Sequence, residues 1–206
     1  LLDKENNWIE IYLKKFNFKL NNKFLFKITN NYKIIKKQDL VFVLSYTKIL
    51  PDSFLKRNKL TLVVHSSKLP RDRGFAPLTY KVLQNSNIIF FSLFQVVKKV
   101  DSGNIFLRTK LKLNGTELYD ELRKKQAETI LNLIKKFLFK YPLIKSSVQS
   151  GKTNYNKRRY PRDSELDINK NIKSQFNLMR VSDNEKFPIF FYHKSVKYIL
   201  KIFKDL

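Results

Sequence analysis

One histidine and one aspartate carry most of the chemistry this sequence can offer. His65 ends the apolar run Leu60-Thr61-Leu62-Val63-Val64 and opens the segment Ser66-Ser67-Lys68-Leu69-Pro70-Arg71-Asp72-Arg73-Gly74-Phe75-Ala76-Pro77. Asp101 opens the turn Asp101-Ser102-Gly103-Asn104-Ile105, 36 residues on. Imidazole is the side chain that ordinarily titrates near neutral pH, so a histidine and an acid that the fold brings together can take and return a proton. Each half also has a plainer reading. A histidine after an apolar strand is commonly a hydrogen-bonded core residue, and Asp-Ser-Gly favours a turn for local backbone reasons. The chain has no cysteine, which excludes disulfides, thiolate metal ligands and a cysteine nucleophile.

Taken together, the two segments read His-x-Ser-x-Leu-Pro-x-x-Arg-Gly-x-x-Pro followed by Asp-x-Gly-x-Ile. This resembles the core signature of the folate-dependent formyltransferases, the family that includes methionyl-tRNA formyltransferase and the sugar N-formyltransferases. The resemblance runs from about Ile34 to Leu138, with its strong motifs between His65 and Ile105. Formyl transfer to an amine needs the amine to lose a proton and the formyl oxygen to carry negative charge. By position, the resemblance implies that His65 is the general base or proton relay and stabilises that charge, while Asp101 holds His65 and helps relay the proton. The family has an asparagine two residues before the histidine. Val63 stands there in this chain and can donate nothing. Losing one oxyanion donor typically costs about 100- to 1000-fold in rate, so the intact remainder of the signature implies a substitute: Thr61, Ser66, a backbone N–H or protonated His65. The competing reading is weakened or lost chemistry.

The stretch Leu44-Ser45-Tyr46-Thr47-Lys48-Ile49-Leu50-Pro51 resembles the family segment that lies against the folate pterin, which makes Tyr46, Ile49 and Leu50 cofactor-binding candidates. The loop from Val97 to Val100 offers a second wall, adding Val100 and Gly103. Ser67, Arg73 and Gly74 are the substrate-loop candidates, and Arg73 either binds an anionic substrate or braces the loop. Lys157-Arg158-Arg159 reads as a solvated loop and His193 as part of a hairpin turn.

These residues need strands to carry them. Leu1-Leu2 reads as the tail of a strand, and a helix is expected within Asp3 to Phe18. Leu40 to Leu44 is a wholly apolar run of the kind buried on both faces of a parallel sheet. Leu60 to Val64 delivers His65 to its carboxyl end, where ligands bind in open α/β sheets. Pro77 opens a helix to about Gln84 with Leu78, Val82 and Leu83 inward. Ile88 to Phe94 is a buried strand and Ile105 to Leu113 alternates as a half-exposed one. Asn114 or Thr116 is expected to cap the next helix, with Glu117, Asp120 and Glu121 in its first turns and an apolar stripe of Leu118, Leu122, Ala127, Ile130, Leu131, Ile134 and Leu138 ending near Tyr141-Pro142. Lys145 to Asp163 reads as a polar loop and Asp167 to Val181 as a helix with Ile168, Ile172, Phe176 and Met179 inward. Phe187 to Phe203 reads as two short strands around His193-Lys194-Ser195. The expected fold is α/β: a Rossmann-like formyltransferase core with a mostly parallel sheet over residues 1–142, and a C-terminal appendage of loop, helix and short β-hairpin over 143–206.

A formal net charge of +25 would ordinarily suggest nucleic acid or an anionic membrane. Here lysine is spread along the chain together with abundant Asn, Ile and Phe, and glycine is down to 4 where average usage gives roughly 14. Compositional drift of the genome explains that charge as well as a ligand does. No apolar run approaches the roughly 20 residues of a membrane helix, so no membrane insertion is expected. The absence of cysteine and of a visible signal peptide reads as cytoplasmic, and Leu1 in place of Met suggests a few missing residues or an unusual start. After the core only roughly 60 residues remain, too few for the barrel domain of a tRNA-acting relative. The expected reaction therefore transfers a formyl group from the cosubstrate 10-formyltetrahydrofolate to a nucleotide-linked amino sugar in glycan biosynthesis, without a metal, with a homodimer as an open assembly. The alternatives are a minimal methionyl-tRNA formyltransferase, a formyltetrahydrofolate hydrolase and a non-catalytic folate or nucleotide-sugar binding protein.

Overall fold

The computed structural model describes residues 1–18 and 23–205. In chain order its elements are α1 (Glu10–Lys15), β1 (Leu40–Val43), α2 (Asp52–Arg57), β2 (Leu60–His65), β3 (Arg73–Gly74), α3 (Pro77–Leu83), β4 (Ile88–Gln95), β5 (Ile105–Lys112), α4 (Tyr119–Lys140), β6 (Tyr155–Asn156), α5 (Ile172–Val181), β7 (Ile189–His193) and β8 (Val196–Leu200).

The central sheet has the order β1-β2-β4-β5. β1 pairs with β2 in parallel, whereas β4 runs antiparallel to both β2 and β5. A parallel bridge joins Leu2 to Leu44 beside β1, where the sequence suggests a strand tail. Thus β1, β2, β5 and the Leu2 bridge point one way and β4 alone the other, which gives the expected mostly parallel α/β sheet in direction. Strand alternation sorts the side chains to two faces. Leu62 and Phe91 belong to the larger core with α4, where Phe137 meets Phe42 and Phe106 edge to face at 5.9 and 5.4 Å. On the other face, Val41 and Val43 pack with Leu50 and Phe54 of the α2 region. Helices cover both faces, and the register Val41 to Thr61 and Val43 to Val63 places Thr61, Val63 and His65 on the α2 side.

Several expectations change in detail. The first helix shrinks to α1 because the Asp3 carboxylate takes the backbone N–H groups of Glu5 and Asn6 and turns the chain before Glu10. Neither Asn114 nor Thr116 caps α4. Its N-cap is Leu118, whose N–H is taken by the Glu121 carboxylate at 2.9 Å, while Glu117 lies outside the helix and accepts from the N–H groups of Asn114 and Gly115. α5 begins only at Ile172, capped by the Asn171 side chain, and Ile168 and Ile172 are exposed rather than inward; Met179 and Val181 are its buried apolar residues. The terminal hairpin turns at Lys194 and Ser195, both left-handed. Among the described residues, no helix is long and apolar enough to cross a membrane.

Candidate active site

β2 carries His65 to the carboxyl edge of the sheet, and the loop after β4 returns Asp101 to the same place. His65 Nε2 lies 3.9 Å from Asp101 Oδ2, with the two side chains 12% and 15% exposed. His65 Nε2 also lies 2.8 Å from the backbone carbonyl oxygen of Asp72. A carbonyl only accepts, so in this arrangement Nε2 carries the proton. Asp101 Oδ2 accepts from the Gly74 N–H at 2.8 Å, which fastens the acid to the substrate loop.

The stretch from Ser66 to Ala76 is fixed at nearly every step. Ser66 Oγ accepts from Gln126 of α4 at 2.9 Å. Ser92 Oγ, opposite His65 in β4, donates to the Ser67 carbonyl at 2.8 Å. Arg108 donates to the Leu69 carbonyl at 2.8 Å. β3 then pairs with β6, which seats Arg73 and Gly74 against Tyr155 and Asn156. Gly74 has φ +89° and a Cβ there would stand 2.6 Å from the Asn156 carbonyl oxygen, so the position demands glycine.

Arg73 is 5% exposed, and among the described residues its guanidinium bonds the neutral Gln149 Oε1 at 2.8 Å and Tyr155 Oη at 3.3 Å, the latter ring also lying beneath it, while its Nε is buried without a partner. That geometry favours the bracing role over an anion site. Gly103 is crowded in a different way, since a Cβ would fall 1.9 Å from the Gln95 carbonyl oxygen. Of the remaining candidates, Leu50 is buried and Tyr46 half-buried in one apolar cluster with Val96, on the His65 side of the sheet. Burial and then the nearby Asp3 charge push the Tyr46 phenol up, so it stays a neutral donor. Ile49 is 81% exposed and Val100 48%, so neither joins that cluster. Ser67 is buried and its hydroxyl has no partner.

Val63 packs with Leu69, Phe94 and Ile105 on the face that His65 shares. Two of the substitute donors considered for it fail on geometry. Ser66 is engaged with α4, and the unpartnered Thr61 hydroxyl sits four residues before His65, roughly 13 Å back along the strand. The His65 Nε2–H, which must share its bond to the Asp72 carbonyl to serve, and backbone N–H groups are left.

Sequence reasoning missed five residues that hold this site: Asp3, Asp72, Lys81, Gln149 and Asn154. Asp72 is buried, receives Lys81 Nζ at 2.9 Å and exchanges two hydrogen bonds with the Asn154 side chain. Burial pushes its carboxyl up, but the bonds from Asn154 and Lys81 outweigh burial and hold it below the usual carboxylate range. Gln149 donates to the carbonyls of Asp101 and Gly103 at 2.9 and 2.8 Å. Asp3 accepts from the N–H and hydroxyl of Thr47 at 2.9 and 2.7 Å and so fixes the segment that carries Tyr46. No local pattern marks these residues, because Asn154 meets Asp72 across 82 residues, Gln149 meets Asp101 across 48 and Asp3 meets Thr47 across 44. Among the described residues, no group of three or more acids and histidines is placed to hold a metal ion.

The family profile described as formyl transferase matches residues 4–136. The bifunctional polymyxin resistance protein ArnA of Wigglesworthia glossinidia brevipalpis is 30% identical over 148 residues, covering 70% of this chain and 23% of its own length. The chain spans between 23% and 52% of the length of the first curated relatives it matches, the others of which are methionyl-tRNA formyltransferases. Among solved structures, methionyl-tRNA formyltransferase from Clostridium thermocellum superposes with a TM-score of 0.75 at 19% identity, covering 98% of this chain and 89% of that one. A sugar N-formyltransferase from Shewanella sp. superposes with a TM-score of 0.67 at 15% identity, covering 82% and 70%. At those identities the structural likeness speaks for the fold, while the profile covers well over half of the residues. The chain belongs to the formyl transferase family.

Proposed function

We propose that this chain transfers a formyl group from 10-formyltetrahydrofolate to the amine of an amino sugar, carried on a nucleotide and destined for glycan synthesis. The observation that carries the reading is the approach of His65 and Asp101 to 3.9 Å at the carboxyl end of β2 in a chain of this family. The Tyr46 and Leu50 cluster supplies a half-buried apolar wall suited to a flat ring, and the unpartnered Ser67 hydroxyl supplies a polar group nearby in sequence to His65. The cosubstrate contributes the formyl carbon. The chain's own groups do the rest: Asp101 takes up the proton that the attacking amine sheds and returns it to the nitrogen of the departing tetrahydrofolate, while the His65 Nε2–H, held toward the Asp72 carbonyl before substrate arrives, is shared with the negative charge that grows on the formyl oxygen. Residues 1–142 form the catalytic core in this reading and 143–206 the appendage, with Gln149 and Asn154 of the appendage reaching back to the site.

A second acceptor, aminoacylated initiator tRNA, is favoured by the +25 net charge, since each phosphate contact releases counterions. Incubation with 10-formyltetrahydrofolate and a panel of nucleotide-linked amino sugars, following amine-dependent release of tetrahydrofolate, tests the first reading. Turnover with charged tRNA alone, falling steeply with salt, would replace the sugar by the nucleic acid. Release of formate without any amine would make the protein a hydrolase, and donor binding without turnover a binding protein.

A further inference from the structure

Two non-glycine residues near His65 hold left-handed backbone, Asp72 at φ 55° and Asp101 at φ 52°. For an L-residue that conformation costs on the order of 1–2 kcal/mol and persists only where the surroundings enforce it. One short segment grips both. Gln149 spends both amide hydrogens on the carbonyls of Asp101 and Gly103, and its oxygen takes Arg73. Asn154 closes a two-bond ring with Asp72, accepting from its N–H at 2.9 Å and donating to its carboxylate at 3.0 Å, and the Asn154 carbonyl takes the Arg73 N–H at 3.0 Å. The Asp72 carbonyl, so aimed, is the one that meets His65 Nε2.

We infer that residues 149–156 are a strap that sets the reacting pair, with Gln149 and Asn154 as positioning residues: Gln149 holds the Asp101 carboxylate at its distance, and Asn154, through Asp72, fixes His65 in the Nε2–H tautomer. The inference rests on the reading of His65 and Asp101 given above. It also makes Arg73 the keystone between the two amides rather than a ligand group.

The chain has 2 histidines, so imidazole nitrogen NMR resolves them, with His193 in the terminal hairpin as internal control. In the unmodified protein, above the titration of its imidazole, His65 should give the Nε2–H pattern. Asn154→Asp sets a second carboxylate against that of Asp72, and should mix the His65 tautomers while leaving His193 unchanged. Gln149→Glu keeps the acceptor for Arg73 and removes both donated bonds. Its kcat should fall about 10- to 100-fold, as expected for a misplaced reacting group, with KM for the formyl donor little changed and the pH–rate profile displaced. A merely structural strap would lower thermal stability and move neither tautomer nor pH profile. An Nδ1–H pattern in the unmodified protein, an unchanged spectrum in folded Asn154→Asp, or normal kcat and pH profile in Gln149→Glu each overturns the inference. If Asn154→Asp does not fold, the other two measurements decide. The spectra are read without turnover, so failure to find any formyl acceptor would count against the proposed function and leave the strap to be judged on its own signal.

Discussion

Two acids in this molecule face nitrogen side chains and are held in opposite ways. Glu117 is 2% exposed and saturated: its carboxylate accepts from Asn114 N–H, Gly115 N–H, Lys125 and Arg180 at 2.7 to 3.1 Å. Burial would raise its pKa, yet the bond from Lys125 and the two backbone N–H groups outweigh burial and hold it at about 2. Asp101 has Gly74 N–H on one oxygen and His65 at 3.9 Å, beyond hydrogen-bond reach. A carboxylate with every lone pair engaged locks the elements that supply its donors, here α4 and α5. Asp101, held by a single backbone N–H and stopping short of its imidazole, locks no such elements and is the acid assigned to proton exchange in the proposed mechanism. In the proposed mechanism, partner count separates the structural acid from the reactive one.

That contrast can be broken. The largest effect is expected at the pair itself: His65→Ala and Asp101→Asn should each lower formyl transfer by at least about 100-fold, the scale of a lost acid or base, while the thermal midpoint stays close to the parent value. Near-normal steady-state rates in either variant would remove that residue from the mechanism. Glu117→Gln should do the reverse, destabilising by about 3–5 kcal/mol because it strands Arg180 in the core, with kcat of the folded fraction nearly unchanged; denaturant titration measures the first and active-site-normalised turnover the second.

The pH dependence of stability sharpens the same point. A depressed carboxyl pKa stabilises the fold above the unfolded value of 4.5 and loses that contribution as pH falls toward about 2. Unfolding curves recorded from pH 6 to pH 2 should therefore show a stability loss below about pH 4.5 that is smaller in Glu117→Gln. Asp3, also held near 2 because its bonds to Thr47, Glu5 and Asn6 outweigh burial, adds to that loss in both proteins. The smallest effect is expected at Val63→Asn. Its rate should match the parent if the His65 Nε2–H serves the oxyanion, and a gain would expose a deficient site.

The elements that carry local signals were legible from the chain. Apolar runs gave β1, β2 and β4, Pro77 marked the start of α3, and the alternation after Ile105 gave β5. The motif also placed His65 and Asp101 at one rim. The bracing was illegible because it depends on closure over distance: Asn154 meets Asp72 across 82 residues and Gln149 meets Asp101 across 48, from a stretch whose polarity reads as an unattached loop. Helix limits failed where side chains outcompeted periodicity, as when Asp3 bent the chain ahead of α1 and Glu117 gathered backbone N–H groups that a helix would have left free. Ile168 and Ile172 kept the right spacing but met no neighbouring layer.

Gly74 and Gly103 leave space that no other residue could use. Of the 4 glycines in this sequence, Gly74 and Gly103 flank the acid, and at both even a single methyl would strike a main-chain oxygen. Any side chain at either position would displace the strand or loop backbone that bounds Asp101, so the rim around His65 has no room to drift there.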